Sequence, residues 1–127
     1  MKEEIRCENA PAAIGPYSQG IKFGNLVFVS GQIPIDILSG NLIQGDIRKM
    51  TEVVLNNIKN ILNSAGLDMK NVLKVTIYLK DMGSFKDVNE VYAKFFEKPY
   101  PSRVTIAVKE LPKNADIEIE VIAGYGN

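Results

Sequence analysis

The sequence predicts an α+β domain: a mixed six-stranded sheet with two helices packed on one face. Three observations lead there. Segments 46–65 and 84–97 carry apolar residues at helical spacing. Six shorter runs read as strands, and the two helical segments interrupt them in the order strands, helix, strand, helix, strand, strand. Each helix has a single apolar stripe, so both can lie on the same side of one sheet. A strand–helix–strand crossover favours parallel, right-handed pairing, while the last strand can run antiparallel; the sheet is then mixed.

Residues 2–7 make a short first strand. "NAPAAIGPYSQG" (9–20) is a loop punctuated by two prolines and two glycines, and residues 17–23 lead into the second strand. Gly24-Asn25 is a tight-turn signal. "LVFVSG" (26–31) is a third strand, closed by Gly31. "GQIPIDILSGNLIQG" is an irregular excursion with a small hairpin around Ser39-Gly40-Asn41. Asp46 then serves as a helix N-cap, Ile47, Met50, Val54, Ile58, Ile61 and Leu62 form the stripe, and Gly66 ends the helix. "NVLKVTIYLK" (71–80) alternates as a strand. Ser84 with Asp87 resembles a capping box for a helix whose stripe is Phe85, Val88, Val91, Tyr92 and Phe95. Pro99 and Pro101 forbid its continuation. Two strands follow, near 103–110 and 116–123, joined by "LPKNAD". Alternation in the first groups Val104, Ile106 and Val108 towards the core and Arg103, Thr105 and Ala107 on the opposite side. The sheet face away from the helices is then expected to carry Thr76, Tyr78, Thr105 and Ala107, which are not strongly polar, and a second subunit is expected over part of it.

The composition narrows the chemistry. The 127 residues form one domain, 1–127, with 46% apolar and 24% charged residues. Fifteen basic and fifteen acidic residues leave zero net charge, so no basic field exists to hold a nucleic acid. Cys7 is the only cysteine, which rules out an intrachain disulfide; it reads as a small apolar strand residue. Histidine is absent. That removes Ser-His-Asp and Cys-His catalysis and every metal site that needs imidazole, so acid–base work falls to Asp, Glu, Tyr, Lys or water. "MKEEIRCENAP" has no apolar leader and no run reaches membrane-spanning length, so a cytoplasmic location away from membranes is the expectation. "GNLVFVSG" lacks the spacing of a phosphate loop, and "SGNLIQGD" lacks that of a calcium loop.

Five places remain as candidates. Arg103 follows a Pro-x-Pro-Ser turn and has small neighbours; its planar fork suits a carboxylate, with a surface ion pair as the plain alternative. In "DIEIEV" Glu118 and Glu120 share one face, where burial against a partner would raise a carboxyl and make it a base towards water; two solvated glutamates are the alternative. Tyr17 follows Gly15-Pro16 and offers a hydroxyl and an apolar wall, or simple core packing. Ser30-Gly31 ends a buried strand, either presenting ligand-binding groups or capping a turn. Asn89 lies inside the second helix, where it either faces a site or faces solvent. Pairing of the last two strands as a hairpin would let Arg103 or Thr105 face a glutamate; the sequence leaves open whether they meet in one chain or across two.

"NAPAAIGPYSQG", "VSGQIP", "LNNIKNILNSAG", "VLKVTIYLKDM", "FKDVNEVYAKFF" and "PSRVTI…LPKNADIEIE" occur in order over essentially the whole chain. In these motifs the sequence resembles the RidA (YjgF) family of reactive-intermediate deaminases. The resemblance implies a chorismate-mutase-like fold and a homotrimer with sheets turned inward and ligand clefts between subunits. It implies hydrolysis of 2-imino acids such as 2-iminobutanoate and 2-iminopropanoate, and of their enamine tautomers, to 2-keto acids and ammonia, with no cofactor and no metal. By the same resemblance Arg103 grips the substrate carboxylate and Glu118 orients or activates water. Tyr17, Ser30, Gly31 and Asn89 line the cleft, with Thr105 adding a backbone contact. The chain has Thr105 where many members carry cysteine, so no thiol is available there, and Met50 where glutamine is common. A non-catalytic trimer that binds carboxylate metabolites, or regulates another protein, is the alternative function. Ribonuclease activity, attached to some relatives, fits poorly with zero charge and no histidine.

Overall fold

The apolar periods locate the elements. A computed structural model describes residues 1–126. Strands β1 (Glu3–Ile5), β2 (Gly20–Phe23) and β3 (Leu26–Gln32) precede helix α1 (Ile47–Ser64). Then come β4 (Val72–Leu79), helix α2 (Phe85–Tyr92), β5 (Ser102–Ala107) and β6 (Ile117–Gly124). The strands form one sheet in the order β1-β2-β3-β6-β4-β5. Only β4 and β5 pair in parallel; all other neighbours are antiparallel. The sheet is therefore mixed and six-stranded, with two helices, as expected. No helix of the described residues is long and apolar enough to cross a membrane.

Strand β6 fills the centre. Val75↔Val121, Ile77↔Ile119 and Leu79↔Ile117 pair across β4, and Val27↔Ala123 and Val29↔Val121 across β3. All of these side chains are buried. Helix α1 lies over β3 and β6 and closes the core with Val54, Leu55, Ile58, Ile61 and Leu62. Its ends are built as the sequence suggests. Asp46 accepts from the amides of Arg48 and Lys49 at 3.1 and 3.2 Å. At the other end Gly66, at φ +78°, donates to the Asn63 carbonyl at 3.0 Å, and Leu67 donates to that of Leu62 at 2.9 Å. This paired geometry satisfies two carbonyls the helix would otherwise leave bare, and its left-handed position favours glycine. Buried Asn57 donates to the Ile35 carbonyl at 3.0 Å and ties the excursion after β3 to the helix.

Three expectations require correction. Helix α2 is shorter than 84–97. After Tyr92 the bonds of Lys94 and Phe95 tighten to the residue three back, so the segment ends in irregular turns before Pro99. Ser84 makes no capping bond, because a 3-10 turn (Met82–Ser84) already precedes the helix; Asp81 takes that role, accepting from Gly83 at 2.8 Å. Finally, β5 stops at Ala107, and its faces are reversed. Arg103, Thr105 and Ala107 lie beside Val75, Ile77 and Leu79 and so point to the helix side. Val104 and Ile106 lie beside Thr76 and Tyr78 on the open face, 46% and 42% exposed. Apolar alternation identifies the two sides of a strand, but here the side away from the helices is itself apolar, with Phe28 also 41% exposed on it. Thr76 and Tyr78 are on that face as expected.

Ile119, fully buried in the central strand, gives a direct check. Ile119→Ala should lower unfolding stability by about 2–5 kcal/mol in urea denaturation; a loss below about 1 kcal/mol would contradict the packing described.

Candidate active site

A bulge between Val29 and Gln32 interrupts the β3–β6 ladder. The extra residue bends the strand and frees Ser30 and Gly31 from regular pairing. Loop 9–20 folds over this point. Ser30 donates through its amide to Gln19 O at 2.9 Å and through Oγ to Ser18 O at 2.6 Å. Gln19 is buried and carries the loop: its Oε1 accepts from the Cys7 amide at 2.7 Å, and its Nε2 donates to the carbonyls of Cys7 and Pro11 at 3.0 and 2.8 Å. Cys7 is buried and structural in this arrangement. The Tyr17 hydroxyl accepts from the Ile14 amide at 3.4 Å, so the ring is fixed against its own loop.

The result is a cavity of about 630 Å³ whose wall includes Tyr17, Ser30, Gly31, Glu118 and Glu120. Gly31 is required by close approach. A Cβ there would stand 2.0 Å from Glu118 Oε2 and 2.8 Å from its Cδ; only hydrogen leaves room for the carboxylate. Burial first, and the neighbouring Glu120 charge second, hold the Glu118 carboxyl above the usual carboxylate range. Among the described residues Glu118 accepts no side-chain hydrogen bond and has no ion-pair partner. Glu120 differs: the Tyr78 hydroxyl donates to it at 3.0 Å, and that bond, then burial, raises the Tyr78 hydroxyl above its usual range. Two adjacent glutamates thus have separate chemistry, one engaged and one free to take a proton.

Arg103 and Asn89 form a second cluster. Arg103 Nη1 donates to Asn89 Oδ1 at 2.7 Å. Its guanidinium lies 4.7 Å from the Tyr92 ring centroid and 5.4 Å from that of Phe85. Phe85, Asn89 and Tyr92 recur at helical spacing on α2, which makes one side of that helix a cradle for the cation. Arg103 has no carboxylate partner within 4.0 Å among the described residues, so its charge remains available. Burial raises the Tyr92 hydroxyl and the Arg103 charge opposes that shift. Tyr92 Oη and Thr105 Oγ1 are buried without a hydrogen-bond partner among the described residues.

The structure therefore brings Tyr17, Ser30, Gly31 and Glu118 together, and separately Arg103 and Asn89, with Thr105 on the same side of β5 as Arg103. The two groups do not meet within the chain. Glu118 pairs with Tyr78 and through it with Ile106, on the open face; Arg103 pairs with Val75 and through it with Val121, on the helix side. Because β6 sits between β3 and β4, the last two strands make no hairpin, and Arg103 faces no glutamate. Sequence reasoning missed Gln19, whose role depends on contacts scattered between residues 7 and 19. It took Phe85 and Tyr92 as core alone, although their spacing around Asn89 was visible.

The raised Glu118 carboxyl has a measurable sign. A group that holds its proton more tightly when folded contributes stability below its unfolded value, and that contribution is lost as pH rises through the folded value. Glu118→Gln should therefore melt above the parent at neutral pH, with the difference disappearing below about pH 4. Thermal unfolding followed across that range checks it; an increment that does not change with pH would contradict the desolvated carboxylate.

Comparison with known proteins agrees with this architecture. A family model described as Endoribonuclease L-PSP matches residues 7–125. A RutC family protein of Pyrococcus horikoshii is 55% identical over 123 residues, 97% of this chain and 98% of the relative. The chloroplastic protein named Reactive Intermediate Deaminase A of Arabidopsis thaliana is 49% identical over 122 residues, 96% of this chain and 65% of the relative. Among solved structures, E. coli TdcF with bound serine superposes with a TM-score of 0.92 at 38% identity, covering 98% of this chain and 99% of that one. On this agreement of sequence and fold, the chain belongs to the Endoribonuclease L-PSP family, the group that holds the YjgF, RutC and RidA proteins.

Proposed function

We propose that the protein is an imine deaminase that hydrolyses small 2-imino acids, 2-iminobutanoate and 2-iminopropanoate among them, in clefts shared between the subunits of a homotrimer. The observation that carries this reading is the division of the site: a free guanidinium on the helix side of the edge strand and an unpaired, desolvated carboxyl on the open face. A second copy whose edge strand β5 met the open face of the first would bring its Arg103 towards the first chain's Glu118. The apolar residues exposed there, Phe28, Val104 and Ile106, favour such burial. The Arabidopsis relative's name points to deamination, and the serine bound to TdcF is a small amino carboxylate. The family description names an endoribonuclease; a chain of zero net charge without histidine is poorly suited to that chemistry. The lone buried thiol of Cys7 suits the cytoplasm.

The chemistry needs only groups of the chain and water. Arg103 binds the substrate carboxylate with its fork, and the Phe85 and Tyr92 rings and Asn89 hold that fork still. Water lies against Glu118. Its oxygen attacks C2 of the protonated imine, the C=N π pair moves to nitrogen, and the Glu118 carboxylate takes the water proton. The resulting carbinolamine receives that proton on nitrogen. The C–N bond then breaks with its electron pair leaving on ammonia, and the hydroxyl proton is released as the keto acid forms. A protonated imine is already electrophilic, so positioning and a modest base suffice.

A carboxylate-binding trimer without turnover would use the same Arg103, and Glu118 separates the two. Coupled to a threonine dehydratase, the parent should accelerate keto-acid release and Glu118→Gln should not; a parent with no effect on the rate would leave the binder. Arg103→Ala should reduce kcat/KM roughly 30-fold to several-thousand-fold with the circular dichroism unchanged. Chains carrying Arg103→Ala and chains carrying Glu118→Gln, refolded together, should recover part of the activity that each lacks alone. Failure to recover any would sink the shared cleft.

A further inference from the structure

A second cavity, of about 440 Å³, shares no residue with the one around Glu118. Four chain segments each contribute one exposed lysine to its lining: Lys59 from α1, Lys70 from the 3-10 turn Met69–Asn71, Lys94 from just beyond α2, and Lys98 from the loop to β5. Arg6, Arg48, Lys49 and Lys80 all have a carboxylate within 4.0 Å. Among the described residues these four lysines have none, as is true of six of the chain's other eight lysines, although Lys94 is near enough to Glu90 to favour its charged form. Two acids share the rim, Asp68 and Glu97. The Asp68 carboxylate is committed to its own turn, accepting from the Met69 amide at 2.7 Å. In a chain of zero net charge, four ammonium groups against two carboxylates make a local positive excess. The remaining lining is apolar: Met69 and Phe96 are buried, Phe95 is half-buried, and Pro99 and Pro101 add flat faces.

We propose that this cavity is a second binding site, for a phosphate monoester of a planar ring, the chemistry of a nucleoside monophosphate. Ammonium groups on flexible stems act as point charges around a tetrahedral dianion, whereas the guanidinium fork that suits a planar carboxylate is absent here and present at Arg103. The proline and Phe95 faces receive the ring. The volume falls within the roughly 300–1,000 Å³ of small-molecule sites. The inference is independent of imine hydrolysis.

Calorimetric titration of the full chain at low ionic strength tests it, with adenosine monophosphate as the probe and inorganic phosphate and adenosine as partial probes. The monophosphate should bind with sub-millimolar affinity, at least about tenfold more tightly than either part alone. The double variant Lys59→Gln/Lys70→Gln should weaken it by at least about tenfold while its melting temperature and its imine hydrolysis stay at the parent level. Amide shifts in an NMR titration should centre on Phe95 and Lys98. No binding at millimolar concentration, equal affinity in the variant, affinity no better than inorganic phosphate, or competition by 2-ketobutanoate at the other cavity would each overturn the proposal.

Discussion

Strand β6 is bonded to a neighbour on each side, and a strand so placed has no freedom of register. A slip by one residue would turn Ile117, Ile119, Val121 and Ala123 out of the core and drive Glu118 and Glu120 into it. Burial of one set thus fixes the other set on the opposite face. The position of Glu118 follows from the hydrophobic effect acting on its neighbours in sequence, and so does its separation from Arg103. The bulge in β3 acts on the same ladder: by releasing Ser30 and Gly31 it makes room for that carboxylate without disturbing the pairs on either side.

The two clusters use different physics to hold a charge ready. Arg103 is kept in place by attraction, between two aromatic faces and an amide oxygen, and loses little of its exposure. Glu118 is kept ready by deprivation: partial burial, a like charge beside it and no donor among the described residues. The first arrangement leaves a charge without a carboxylate partner. The second makes the proton easier to gain, at some cost to folding.

Much of this was legible in the sequence. Asp46 and Gly66 mark the ends of α1 because capping is local chemistry, readable over a few residues. The run 117–121 reads correctly because both of its faces are unambiguous, branched apolar on one side and acidic on the other. At β5 the same reasoning pairs the residues properly and then turns the strand over. Val104 and Ile106 look like core, and nothing within the strand says that the apolar side faces away from the helices. The capping box at Ser84 misleads because the turn before it, not the helix, needs the cap. Gln19 could not be found at all: its partners are backbone groups, which leave no trace in residue type. Of the candidate residues, Tyr17, Ser30, Gly31 and Glu118 do gather round one cavity. The gap between them and Arg103 depends on strand order, which alternation does not encode.

That strand order has a consequence for variation. Two patches on opposite sides of one sheet, one centred on Glu118 and Gly31 and one on Arg103 and Asn89, answer to the same selective demand if they serve one reaction. Substitutions in either would be judged by what happens at the other, with no path of contact inside the chain to carry the influence. Under the proposed shared cleft, the unit on which selection acts would be not the polypeptide but the seam between two identical copies, and each inherited change would be felt in two roles at once.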